Sequence, residues 1–286
     1  MNFNPADIQL KDMFDLEKDY SAYVNASQER SIDLGEWIPA LASRVRPLVP
    51  GEFAVIMSDT GVGKTAIAQN IARAVAPQVV FLFELELPGT LCFERFISME
   101  SGIMSYEIEK HYQNGKSVHG VVNMENIHTC ENSSLTVDNI HSVIEYQRDN
   151  GLTADLVIID YIGLLDGERN KSRHERITNY AQDLKRMAKS AGVVVLATTQ
   201  IHRKGDDYPD QVTIHDARDS GAIEESAGVL IGAWKDPDDQ TKRRLCLKVL
   251  KSTKDGSSDV INCEFDGPTM RIRPEVVGMD LSEDGL

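Results

Sequence analysis

Apolar and polar positions follow two rhythms along this chain. Short apolar runs at Phe53–Met57, Val79–Leu85, Leu156–Asp160 and Val193–Thr198 predict strands buried on both faces. Between them lie segments with helical spacing: Lys64–Val75, Gly89–Gly102, a patterned stretch around Glu107–Tyr112, Val137–Asn150 and Arg176–Ala191. A short strand is expected at Asn126–Thr129. Further strands follow at Val229–Ala233, Leu245–Leu250 and Val260–Phe265, the last two forming a hairpin around Asp255–Gly256. Apolar strands separated by helices predict an α/β fold with a mostly parallel central sheet, helices on both of its faces and a late β-hairpin.

The first 30 residues do not fit this alternation. Ile8, Leu10, Met13, Phe14, Leu16, Tyr20, Tyr23 and Val24 are spaced closer to a helix than to a strand. Two readings are equal here: a helix packed on its own domain, or an arm docked on a neighbouring subunit. Pro47, Pro50 and Gly51 then punctuate the entry to the core. The 286 residues therefore divide into an arm (1–31), one large domain (32–274) and an acidic tail (275–286), with no internal repeat.

Composition excludes several classes. No apolar run approaches the roughly 18 residues needed to span a membrane, and the acidic N-terminus has no signal-like segment, so a cytoplasmic protein is expected. Cys92, Cys130, Cys246 and Cys263 are scattered without a CxxC pair and read as reduced thiols rather than a zinc site or disulfide framework. The formal net charge of -15 argues against nucleic acid as a partner unless basic loops are gathered locally, for instance in a channel between subunits.

The sharpest chemical signal is Ser58-Asp59-Thr60-Gly61-Val62-Gly63-Lys64-Thr65, placed after a strand and before a helix. It meets the P-loop pattern except at its first position, where Ser58 replaces Gly. Small residues let successive backbone N–H groups wrap phosphates, and the positive end of the following helix points at them. Lys64 would neutralise the β- and γ-phosphates, and the Thr65 hydroxyl would ligate Mg2+, so ATP and Mg2+ are the expected ligands. Leu156–Asp160 is an apolar strand ending in a carboxylate, the Walker B arrangement, which suits Asp160 for the magnesium ion. Phe83-Glu84-Leu85-Glu86-Leu87-Pro88 ends the strand after the P-loop helix with two acids. One of them could act as a general base on water, but alternation puts Glu84 and Glu86 on the same face and does not choose between them. Gln200, ending Thr198-Thr199-Gln200, could sense the γ-phosphate.

In this order the motifs resemble the C-terminal motor domain of DnaB-type replicative helicases, a RecA-like fold. The similar stretches are Phe83–Pro88, Asp160–Leu165 (DYIGLL), Asp183–Lys189 with Val193–Arg203, and Asp216–Glu225 (DARDSGAIEE), which span roughly residues 32–273. The resemblance implies that Glu86 is the water-activating glutamate, Asp160 the magnesium carboxylate and Gln200 the γ-phosphate sensor. It also implies that Arg218, Asp219 and Gly221 lie on the loop that grips single-stranded DNA. Without it, DARDSG reads as a turn before a capped helix. The family completes each ATP site in trans with a Lys-x-Arg pair. Here Lys254 stands where the Arg is expected and Lys251 is one residue out of step, a departure that RecA-type recombinases share by using lysines. Two further basic places, Glu168–His174 (with Arg169, Lys171, Arg173 and His174) and Lys204, read as solvated loops that could face a channel.

A site completed in trans implies a homo-oligomeric ring, six subunits by the resemblance. About 30 residues precede the motor, too few for the primase-binding N-terminal domain, so a stand-alone motor encoded by a bacterium, phage or plasmid is expected, with a loader or initiator as a candidate partner. Two functions remain open: an ATP-driven helicase or translocase on single-stranded DNA, moving 5′→3′ by the resemblance, and a RecA-like regulatory ATPase that unwinds nothing.

Overall fold

The computed structural model of the chain describes residues 11–118, 124–132, 134–167, 170–201, 211–214, 216, 221–252 and 259–275. Strands β1 (Phe53–Ser58), β2 (Val80–Glu84), β3 (Ile127–Cys130), β4 (Leu156–Asp160), β5 (Val194–Gln200), β6 (Val229–Lys235), β7 (Arg244–Ser252), β8 (Ile261–Asp266) and β9 (Arg271–Pro274) form one sheet in the order β3-β2-β4-β5-β1-β6-β7-β8-β9. Pairing is parallel from β3 through β6 and antiparallel from β6 to β9.

Every residue of β1, β2 and β4 is buried, because helices cover both faces of the parallel part. Alternation along β1 divides its side chains between two cores. Ala54 and Ile56 pack with Ile67 and Ile71 of α3 (Lys64–Ala74). Phe53, Val55 and Met57 pack with Ile140 and Ile144 of α6 (Val137–Asp149) and Leu184 and Met187 of α7 (Arg173–Ala191). Helices α4 (Gly89–Ser101) and α5 (Ser105–Gln113) continue from the end of β2, with a small core of Ile97, Ile108 and Val118.

Helix α1 (Met13–Arg30) starts at Asp12, whose side chain accepts the Asp15 N–H at 2.9 Å. Met13, Phe14, Leu16 and Tyr20 are exposed along it. Its last residue is fixed: Arg30 Nε donates to Asp155 Oδ1 at 2.6 Å and Nη2 to the Ala154 carbonyl at 2.7 Å. The chain then enters the body at Ile32, fully buried and paired with Leu48, ahead of the one-turn α2 (Pro39–Ala42). Helix α8 (Gly221–Ser226) precedes β6.

Two local features differ from the sequence expectation. Helix α7 begins at Arg173 rather than Arg176, because Ser172 and Glu175 form a capping box in which each side chain accepts the other's backbone N–H. Arg173 and His174, expected in a loop, therefore stand on its first turn. Strand β9 was not anticipated, since only Ile272 of its four residues is buried. It is held by Asn70 of α3, which accepts the Ile272 N–H at 3.0 Å and donates to the Met270 carbonyl at 2.8 Å.

Candidate active site

Because β2, β4, β5 and β1 are parallel neighbours, their carboxyl ends lie along one edge of the sheet, where α/β proteins bind ligands. Glu84 is level with Asp160, and Ser58 with Gln200. Four distant stretches of sequence meet there.

The P-loop leaves β1 at Ser58, which is fully buried and whose carbonyl accepts the Ile201 N–H at 3.1 Å. Gly61 and Gly63 have φ of 79° and 112°, a region L side chains rarely adopt. Gly63 caps α3, and a Cβ there would lie 3.3 Å from Phe265 Cε1. The first amides of α3, including those of Lys64 and Thr65, have no intrahelical acceptor, as at every helix N-terminus, which suits them to a phosphate. Lys64 Nζ donates to the Asp59 carbonyl at 3.0 Å. Burial lowers the Lys64 pKa, while the charges of Asp160, Glu86 and Asp59 act in the opposite direction. Those three carboxylates thus act on the lysine's charge.

Asp160 is fully buried. Thr198 Oγ1 donates to its Oδ1, while Oδ2 has no hydrogen-bond partner among the described residues. A buried carboxylate oxygen without a donor, on the same edge as the Thr65 hydroxyl, fits an oxygen-seeking cation such as Mg2+. Gln200 Nε2 donates to Thr60 Oγ1, so the proposed sensor already touches the P-loop.

The two glutamates do not share a face. Strand β2 ends at Glu84, and the chain turns before Glu86, so alternation no longer holds there. Glu84 is buried, and desolvation, aided by the charge of Asp160, pushes its carboxyl up to about 7. Glu86 is exposed at the site. Thr198 and Phe265 were not singled out from the sequence. Thr198 had a signal, as a polar residue in an apolar strand two positions before Gln200; Phe265 had none, since its contact with Gly63 joins distant segments.

Other expected site residues are only partly placed. Gly221 is the first residue of α8. Lys251 Nζ donates to the Glu224 carbonyl, which sets the end of β7 beside α8. Lys171, Arg173 and His174 are exposed at the start of α7. Arg218, Asp219, Lys254, Arg169 and Lys204 lie outside the described residues. The four cysteines are unpaired, and no described helix is long and apolar enough to cross a membrane.

The family model for the DnaB-like helicase C-terminal domain matches residues 38–274. The chain belongs to this family. It is 28% identical over 211 residues to the replicative DNA helicase DnaB of Mycoplasma genitalium, an alignment covering 68% of this chain and 44% of that protein. It is 26% identical over 196 residues to a probable plasmid replicative DNA helicase of Chlamydia muridarum, covering 64% of this chain and 43% of the relative. The chain thus spans about half the length of such relatives. Among solved structures, a protein described as an ATPase domain superposes with a TM-score of 0.76 at 21% identity, covering 94% of this chain and all of that one. A DnaB-like replicative helicase, studied for its interactions with primase, gives 0.75 at 23% identity over 94% of this chain and 68% of that one. Both likenesses establish the fold alone, which is of the RecA-like kind.

Proposed function

We propose that this chain is the ATP-hydrolysing motor of a DnaB-like replicative helicase, acting on single-stranded DNA as a ring, hexameric as in the resemblance. The observation that carries this reading is the meeting of Lys64, Asp160, Gln200 and Glu86 at one sheet edge beside the P-loop. In the proposed site the amides of residues 59–65 and the Lys64 ammonium hold the phosphates, and Thr65 and Asp160 hold Mg2+. That ion, when bound, neutralises phosphate charge. Glu86 takes a proton from the attacking water, and Gln200 links the state of the nucleotide to Thr60 of the P-loop. Lys254 reaches the site of the next subunit, while Arg218, Asp219 and Gly221 contact the strand from the central loop.

The same reading assigns residues 1–31 to an arm, 32–274 to the motor and 275–286 to a tail. The exposed row of Met13, Phe14, Leu16 and Tyr20 supports α1 as the segment that docks on a neighbouring subunit. A bacterial cytoplasmic setting, 5′→3′ movement and a loader or initiator as partner complete the proposal.

The test is ATP turnover with and without single-stranded DNA. Turnover is expected to rise at least several-fold with the strand, and Arg218→Ala to abolish that rise while basal turnover persists. If neither DNA nor RNA stimulates turnover and Arg218→Ala changes nothing, the chain is a regulatory ATPase rather than a helicase.

A further inference from the structure

Among the described residues two carboxylates are buried, Asp160 and Glu84. Asp160 has a place in the proposed cation site, and Glu84 has none. Burying an acid is costly unless its oxygens are used. Glu84 uses one of them on the chain that follows it. Its Oε1 accepts the N–H of Glu86 at 3.3 Å and that of Leu87 at 3.2 Å. The intervening Leu85 N–H donates to the Asp160 carbonyl at 3.0 Å. Three consecutive amides after β2 are thereby fixed, and Pro88 has none to fix. The Glu86 carboxylate is itself exposed. The point and angle at which its side chain leaves the backbone are set by a turn that is tied to Glu84.

We propose that Glu84 is a positioning residue for Glu86: by accepting the Glu86 and Leu87 N–H groups, it sets the angle at which the water-activating carboxylate leaves the sheet edge. The proposal rests on the role given to Glu86 above. It gives a use to a polar side chain buried in the interior beside Asp160. A side chain of similar length that can accept two N–H bonds should serve, whatever its charge. One of the same length without an acceptor should not. A shift of about 1 Å in a reacting group is enough to cost on the order of a hundredfold in rate.

The test compares Glu84→Gln with Glu84→Met in the full chain. The two side chains are similar in size and both remove the buried charge, so they differ chiefly in the acceptor. Hydrogen exchange of the peptide containing residues 85–87 reads the turn, fluorescent-ATP titration with Mg2+ reads binding, and steady-state hydrolysis reads kcat. Glu84→Met is expected to raise exchange at these amides about tenfold and to lower kcat by about 10–100-fold, with nucleotide affinity within about threefold. Glu84→Gln should bring exchange and kcat back to within about threefold of the parent. Unchanged exchange in Glu84→Met overturns the proposal, as does a Glu84→Gln protein as defective as Glu84→Met. Glu86→Gln separates the proposal from the reading beneath it. If Glu86→Gln is inactive while Glu84→Met loosens the turn at full turnover, only the positioning role falls. If Glu86→Gln is itself active, the assignment of Glu86 falls and the proposal with it.

Discussion

Replacing Glu84 with glutamine should make the metal-free protein more stable, and by an amount that grows with pH. The folded-state carboxyl titrates at about 7, against an ordinary value of 4.5, chiefly because burial disfavours its charge. A carboxyl raised in the folded state binds more protons folded than unfolded between those two values. Stability is therefore fullest below about 4.5 and declines as pH rises towards about 7, then levels off. The whole interval, at 1.36 kcal/mol per pH unit, corresponds to about 3 kcal/mol, of which about 2.5 falls between pH 5 and pH 8. A carboxamide in place of the acid does not titrate and keeps an acceptor for the Glu86 and Leu87 amides, so the variant should escape this loss. The assay is urea unfolding in EDTA at pH 5, 6, 7 and 8, followed by the fluorescence of Trp37 and Trp234, which sit in the two cores on opposite faces of the sheet. The gap between variant and parent should open from below about 1 kcal/mol at pH 5 to about 3 kcal/mol at pH 8. A gap that stays constant across this range, or a variant less stable at pH 8, would refute the electrostatic reasoning.

Two other substitutions probe the same edge of the sheet. Thr198→Val removes the hydroxyl that donates to Asp160 Oδ1 and leaves a buried carboxylate without that bond, so the metal-free protein should lose about 1–3 kcal/mol in urea unfolding. An unchanged midpoint would mean that Asp160 does not depend on this donor. Gly63→Ala places a Cβ at φ 112° and 3.3 Å from the Phe265 ring, so the P-loop should distort and fluorescent-ATP affinity fall by at least about tenfold. Full affinity would contradict the loop geometry.

The parts of this fold legible in the sequence are those whose signal is local. The buried strands announce themselves as apolar runs because helices cover both faces, and the P-loop because phosphate binding needs small residues and a lysine at fixed spacing. Asp160 and Gln200 were visible as polar residues ending such runs. The start of α7 was read three residues late, although Ser172 and Glu175 have the spacing of a capping box. Strand β9 escaped because its determinant is Asn70, some 200 positions away, and not its own pattern. Alternation failed to separate Glu84 from Glu86 because the strand ends between them. That ending is marked by the local bond from the Glu86 N–H to the Glu84 side chain and by the bond from the Leu85 N–H to the Asp160 carbonyl, which only the folded sheet brings together.

Arg30 closes α1 on Asp155, and Asp155 in turn accepts the Val79 N–H through Oδ2 at 3.0 Å. Asp155 and Val79 are the residues immediately before β4 and β2, the two strands whose far ends present Asp160 and Glu84. Five residues of extended chain, about 17 Å, separate the anchor from the carboxylates. Through Arg30, α1 thus meets the sheet at the end opposite the two carboxylates. In the proposed ring, a pull on α1 from a neighbouring subunit would enter at Asp155 and run lengthwise along two adjacent strands towards Asp160 and Glu84.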